Sequence, residues 1–541
     1  MKQYLFFTGL IFFIVIGCIF FLEKTDFLHL RELDISAKVY EEDGTVTLRW
    51  ERPAYPCYYR VDTYIKTTGT GTDKAEFELV KTEFTTTPSY RISSAPIPFY
   101  YRITAYGMFG ALTSPSTEIA SPYFAAQAPI PIYHYTKEHP ASLMPFLVWH
   151  SIPNAVLYEV ELLSAPPEQE GGIALSTKYH LTSTRDVFTN GWQADLRKFS
   201  SHKTIYWRVR ALGLKQESIG EFSAAEPLFI DQNAAIPDRP LPNIFDQVMN
   251  FHQPIYPVYQ WIPMNGVHTY EVELLTEKPE LDHGTKPDPH RAWAQTISDV
   301  NAIYDEYARP YAGTYYWRVR GLDAKGHTVG TWSDVASFTV NPAPSGHVYA
   351  AALGDSITHG GGAISSSPAF LEYSYTTYLS FECLNLGRSG DTSHTTLERF
   401  DQDVLPLHPA NLLILTGSNS LRADTPAQEI IKDLDAIRKK CSLHGIRPIF
   451  LTLLPLNPER IQLAFHTETD PTWKMKLSLI NTWIRSQEYY IDIEPYFYDA
   501  KWSVLDPLLS TDGLHPDVNG KRMMADLINQ HRDLLSDIPE K

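Results

Sequence analysis

Four short polar groups in the last third of the chain combine residue types that serve nucleophilic catalysis. They are Gly354-Asp355-Ser356, the stretch NLGRSGD from Asn385, the stretch TGSNS from Thr416, and STDGLHPD from Ser510. A serine hydroxyl attacks a carbonyl only when a base removes its proton, and His515 is the candidate base for Ser356. An imidazole needs a partner that fixes its tautomer and stabilises its cation, and Asp512 stands three residues before it. Asp-Gly-Leu-His places acid and base on one turn. The tetrahedral intermediate needs donors aimed at its oxyanion. The backbone N–H groups of Ser356 and Gly387 and the side-chain amide of Asn419 are the three candidates. Each piece alone has a plainer explanation. Ser356 or Asn419 could cap a helix, Gly387 could serve a turn, and Asp512-Gly513 could be a loop. Together they would require four coincidences at one end of one sheet.

The elements that would position these residues follow from the alternation after Pro344. Strands are expected at 348–352, 383–387, 412–417, 449–454 and 489–494. Helices are expected near 369–380, 395–404, 426–443, 472–487 and 518–535. Strand–helix alternation implies a parallel sheet covered by helices, with ligands bound beyond the carboxyl ends of the strands. All four polar groups fall there. Gly360-Gly361-Gly362 suggests a mobile loop beside the serine.

On these residues, 346–541 resembles the SGNH/GDSL hydrolases, named for Ser, Gly, Asn and His in four blocks. GDSIT matches the first block, NLGRSGD the second, GSNS the third and DGLHP the fifth. The resemblance implies a flavodoxin-like α/β/α domain with Ser356 as nucleophile and His515 as base. Asp512 would orient the base, and Gly387 and Asn419 would complete the oxyanion hole. The third block usually reads Gly-x-Asn-Asp. Here Ser420 replaces the Asp, so support of that loop is expected to change while the chemistry is kept.

The middle of the chain is repetitive. YEVELL occurs at 158–163 and 270–275, and YWRVR at 206–210 and 316–320. A diverged copy surrounds Trp50, Tyr58 and Phe99. In YYWRVRG, Tyr315, Trp317, Val319 and Gly321 share one face, and Arg318 and Arg320 the other. This period of two describes a half-buried strand of a two-sheet sandwich. The pattern resembles fibronectin type III modules, immunoglobulin-like sandwiches, at 33–124, 130–232 and 240–342. Proline-rich stretches near 125–133, 234–243 and 341–347 separate them. The expected role of the modules is a stalk, with carbohydrate or protein binding as the alternative. Gly69 and Gly71 are expected in a hairpin loop rather than a phosphate cradle, since no helix pattern follows.

Tyr4 to Leu22 carries no charge and is long enough, as a helix, to span a bilayer. Residues 1–24 are therefore expected to be a membrane anchor or export signal, with the rest outside the cytoplasm. Val15-Ile16-Gly17-Cys18 resembles a bacterial lipobox, which makes lipidation of Cys18 the second reading. The chain has 541 residues, 43% apolar and 20% charged, enough for several folded domains. A net charge of −17 argues against a nucleic-acid partner. Of four cysteines, Cys383 and Cys441 are expected as buried free thiols, with a bridge between them as the alternative. No metal-ligand spacing such as H-E-x-x-H appears, so no metal or cofactor is expected. The expected activity is hydrolysis of an acyl ester, an O-acetyl group on a polysaccharide in the first instance. The alternatives are a lipolytic esterase or lysophospholipase, and a weakly catalytic glycan-binding surface protein.

Overall fold

The computed structural model describes residues 14–22, 38–42, 45–50, 57–68, 75–92, 100–107, 128–152, 155–168, 172, 174–244, 254–309, 313–340, 348–362, 371–499, 503–507 and 509–535. The chain divides into two compact units. One is Met1–Ala126 with Tyr498–Ser503, the other Gln127–Phe497 with Val504–Lys541. Most of the expected anchor, and the loop at Gly69 and Gly71, lie outside the described residues. Residues 14–22 are helical, and no described helix is long and apolar enough to cross a membrane.

Among the described residues, the first unit contains two antiparallel three-stranded sheets. One joins Lys38–Glu42, Thr45–Arg49 and Ser89–Ile92, the other Cys57–Thr68, Ala75–Thr85 and Tyr100–Gly107. Leu48 and Trp50 pack against Tyr59, Val61, Tyr101 and Ile103 between them. The inward residues of Tyr100–Gly107 are every second one, as a strand pleat requires.

The second unit begins with two further antiparallel β units. In the later one, Tyr259, Trp261 and Ile303 of a three-stranded sheet close on Val272, Leu274, Trp317, Val319 and Phe338 of a five-stranded sheet. The sequence pattern located the inward face but misjudged the other. Arg208, Arg210, Arg318 and Arg320 are buried. Arg318 donates to Glu273 at 2.7 Å and Arg320 to Glu271 at 2.7 Å. Their guanidiniums lie 4.8 and 4.5 Å from the Trp332 ring centroid. The earlier unit repeats this with Glu161, Glu159 and Phe222. Each guanidinium is covered by an aromatic face and paired with a cross-strand carboxylate, which is how a charged row leaves solvent.

The C-terminal domain is an α/β fold. Its sheet is built from β1 (Ala350–Gly354), β2 (Cys383–Gly387), β3 (Asn411–Leu415), β4 (Arg447–Leu451) and β5 (Tyr490–Ile491). All pairs are parallel, in the order β2-β1-β3-β4-β5. Such strands read as apolar runs because both faces are covered, and every residue of β1 and β3 is buried. The order reverses between β1 and β3, where open sheets of this kind bind ligands. Four helices matter for the site: α1 (Ser356–His359), α2 (Ser393–Glu398), α3 (Ser418–Arg422) and α4 (Val518–Gln530). Ala427–Leu443 buries Ile430, Leu434, Ile437 and Cys441 on one stripe, the spacing of an amphipathic helix. The helix expected near 369–380 is instead two 3₁₀ turns, Leu371–Tyr373 and Tyr375–Tyr378. Its Tyr and Thr residues lose rotamer freedom in a helix. Cys383 and Cys441 are free and buried.

The second and third β units are packed on this domain rather than strung out as a stalk. Val156, Leu157 and Leu212 form one cluster with Tyr373 and Val518. Ile255 N–H donates to the Asn385 carbonyl at 3.0 Å. The proline-rich segment between the units is packed too, with the Pro237 carbonyl accepting from Gln193 at 3.1 Å.

Candidate active site

β1 ends at Gly354 because only glycine fits there. A Cβ would stand 2.2 Å from the Leu415 carbonyl oxygen and 2.3 Å from Thr358 Oγ1. The next residue, Asp355, is extended and caps α1 by accepting the Ile357 N–H at 3.0 Å. Capping therefore falls to Asp355, and the Ser356 hydroxyl is left for His515, 2.7 Å from its Nε2. Ser356 is 7% exposed.

Asp512 and His515 share a turn that Gly513 closes with φ +80. Asp512 Oδ1 accepts the N–H groups of Leu514 and His515, both at 2.8 Å. Its Oδ2 lies 2.8 Å from His515 Nδ1. A carboxylate at Nδ1 keeps the proton there and leaves Nε2 as an acceptor facing Ser356. Burial pushes the Asp512 carboxyl up, but the charge and hydrogen bonds of His515 outweigh this and hold it below the usual range. Gly361 passes so close that a Cβ would stand 2.9 Å from His515 Cδ2. The Phe465 ring meets the imidazole edge-on at 6.0 Å.

The start of the glycine stretch is held rather than loose. Gly361 N–H returns to the Ser356 carbonyl at 2.6 Å. Lys521 of α4 is buried and donates to the Ile357 and Gly361 carbonyls, tying α1 to this turn. Burial lowers its pKa to about 7 against the pull of Asp355, Asp512 and Asp517.

The expected oxyanion donors are placed unequally. Asn419, at the second position of α3, gives one Nδ2 proton to the Asp391 carbonyl at 2.9 Å and keeps another. Gly387 differs from expectation. Its single N–H is taken by Asn385 Oδ1 at 2.8 Å. Its glycine identity serves packing, since a Cβ would meet His359 N at 2.2 Å. Three residues on, Gly390 has φ +89 and open space at its Cβ position. Among the described residues its N–H meets no protein acceptor. Gly390 is not among the donors expected from the sequence, although NLGRSGD contains two glycines and the second begins a Gly-Asp turn. Ser420, where an Asp was expected, accepts the Ser393 N–H at 3.1 Å. Ser393 in turn donates to Asp433 at 2.7 Å. A carboxylate thus still supports the loop, one residue removed.

Two arginines lie on this side of the site, one over Phe465 and one against the Asp512 turn. Arg422 lies 5.8 Å over the Phe465 ring, and Arg460 donates to the Thr511 carbonyl at 3.0 Å.

Residues 352–523 match the GDSL-like Lipase/Acylhydrolase family. Similar solved structures include a lipase/acylhydrolase from Enterococcus faecalis (20% identity, covering 34% of this chain and 94% of that one, TM-score 0.28). A GDSL-like lipase from Bacteroides thetaiotaomicron is 20% identical over 36% of this chain and 90% of that one, with a TM-score of 0.28. A catalytic mutant of an acetylxylan esterase from Geobacillus stearothermophilus is 16% identical over 36% of this chain and 97% of that one, with a TM-score of 0.27. No curated protein matches the chain.

Proposed function

We propose that this SGNH/GDSL-type serine hydrolase of carboxylic ester bonds removes O-acetyl groups from a polysaccharide outside the cytoplasm. The observation that carries the catalytic part is the hydrogen-bonded chain Ser356–His515–Asp512. His515 Nε2 takes the Ser356 proton as Oγ attacks the ester carbonyl. The imidazolium that forms is stabilised by Asp512 and then protonates the sugar oxygen as its bond to the acyl carbon breaks, so that the sugar leaves as a free hydroxyl. Water, deprotonated by the same Nε2, hydrolyses the acyl-enzyme and releases acetate. The oxyanion is met by the Ser356 N–H, the free Nδ2 proton of Asn419 and the turn after β2. In that turn Gly390, not Gly387, has the N–H to give.

A small acyl group on a sugar is supported by the surroundings of His515. Gly361 and Phe465 crowd the imidazole, while Arg422, Arg460 and Asn419 offer donors that suit sugar hydroxyls. Placement outside the cytoplasm is supported by the charge-free run from Tyr4 to Leu22.

The test is acetate release from a panel of acetylated polysaccharides by the full chain, with Ser356→Ala as control. Release by the wild type alone supports the proposal and names the glycan. Preference for long-chain lipid esters over every glycan would overturn the acetyl-sugar assignment. Glycan binding without turnover would overturn the catalytic one.

A further inference from the structure

We propose that the third β unit is a working part of the active site, in which Tyr304 is a positioning residue for the oxyanion turn. The inference rests on the reading of Ser356 as nucleophile. The turn Arg388–Asp391 follows β2 and carries the Gly390 N–H. Two strands of hydrogen bonding reach it from the β unit.

The first runs through Tyr304. Its hydroxyl donates to the Ser389 carbonyl at 2.9 Å. That carbonyl belongs to the same peptide as the Gly390 N–H. In a trans peptide the two groups point in opposite directions. Holding the carbonyl toward Tyr304 therefore aims the Gly390 N–H away from the β unit. Gly390, at φ +89 with nothing against its Cβ position, is the third residue of a turn closed by the Asp391 N–H on the Arg388 carbonyl at 3.3 Å, a closure that does not itself set the direction of the middle peptide. A glycine peptide of this kind flips easily unless an outside group fixes it.

The second runs through Tyr256 and His359. His359 is fully buried between the two domains, and the Tyr304 ring stands edge-on to it at 5.2 Å. Its Nε2 lies 2.8 Å from the Tyr256 carbonyl, an acceptor only, so Nε2 carries the proton. Nδ1 is then an acceptor, and it takes the Ser389 N–H at 3.2 Å and the Ser389 hydroxyl at 3.0 Å. The Tyr256 hydroxyl also donates to Asp403 at 2.8 Å. Asp403 pairs with Arg399, which holds Asp391 at 2.5 Å and the Gly354 carbonyl at 2.9 Å. The peptide after Ser389 is thus held directly by the β unit, and the peptide before it and the Asp391 side chain are held by His359 and Arg399, which Tyr256 in turn supports. The C-terminal domain holds the catalytic side chains, and the neighbouring unit sets the direction of one donor.

Tyr304→Phe in the full chain is the direct test, because it keeps the ring against His359 and removes only the hydroxyl. With 4-nitrophenyl acetate as probe, kcat is expected to fall about 10-fold with KM within about twofold of wild type. A boronic acid, which forms a tetrahedral adduct on Ser356, should bind more weakly by the same factor. A merely structural role would not move kcat and adduct affinity together. A folded Tyr304→Phe with both values within about twofold of wild type overturns the proposal. If that variant does not fold, Tyr256→Phe decides by the same two values, since it keeps the ring and removes the β unit's hydroxyl from Asp403, the partner of the Arg399 that holds Asp391. Hydrolysis that persists in Ser356→Ala overturns the site reading itself, a separate result from either.

Discussion

At the scale of single residues, the site is a contrast between groups fixed locally and groups fixed from afar. Asp512 and His515 are three residues apart, and one turn supplies every bond between them. That is why their pairing was legible in the sequence. The direction of a backbone N–H is not local information. Gly387 was expected as a donor, yet the Asn385 side chain two residues earlier takes its proton. The Gly-Asp pair at Gly390 marks a turn, but the letters do not say which glycine keeps its N–H free. Asn419→Ala should lower kcat by roughly 10²–10³-fold with a small change in KM, as loss of one oxyanion donor does. Steady-state kinetics on an acetyl ester check this, and an unchanged kcat would remove Asn419 from the hole. Asp512→Asn should cost roughly 10⁴-fold in kcat, because an amide favours the wrong imidazole tautomer. The same assay decides it, and near-normal turnover would count against the assigned pair.

At the scale of elements, the strand–helix alternation marked all five strands of the C-terminal sheet, with boundaries shifted by a few residues. The shifts have causes. The expected third strand, 412–417, ends at Leu415 because Gly417, at φ +118, begins the turn into α3. The expected fifth, 489–494, keeps only Tyr490–Ile491, and a 3₁₀ turn follows from Glu494. The β units were legible on their inner faces only. Their second face reads as solvent because it carries arginine, and its burial depends on Phe222 and Trp332, which fold back from beyond the ends of the arginine strands. A prediction belongs to β2. Gly387→Ala would place a methyl 2.2 Å from the backbone nitrogen of His359, which cannot rotate away. It should destabilise the domain by about 1–3 kcal/mol, the usual cost of overpacking. Thermal unfolding measures this, and an unchanged midpoint would show that α1 moves more freely against β2 than its contacts imply.

At the scale of the whole molecule, the second and third β units and the hydrolase domain form one compact unit. The proline-rich segments between the units suggest a stalk, but such segments look like spacers in the sequence whether or not they are packed. Tyr256 and Tyr304 belong to no motif, so their contacts with the domain were invisible beforehand. His359 makes this association sensitive to acid. Burial is the main cause that lowers its pKa from 6.5 to about 4. The Tyr256 carbonyl and Asp391 pull it up, and Arg399 and Lys521 push it down. The unfolded chain binds a proton below pH 6.5 that the folded chain refuses. Stability from this group is therefore complete above pH 6.5 and is lost as pH falls toward about 4, by about 3 kcal/mol in all. Urea unfolding at pH 7 and pH 4.5 should show that loss, and His359→Gln should lessen it. Equal pH dependence in both proteins would contradict the assignment to His359.

The most direct measurement is the mass of the active-site peptide after the full chain is treated with a fluorophosphonate. An adduct on Ser356, absent from Ser356→Ala and strongly slowed in a His515→Ala variant, is the result predicted here. An adduct on another serine, or none on a folded protein, would contradict Ser356 as the nucleophile and with it the mechanism built on the Ser356–His515–Asp512 chain.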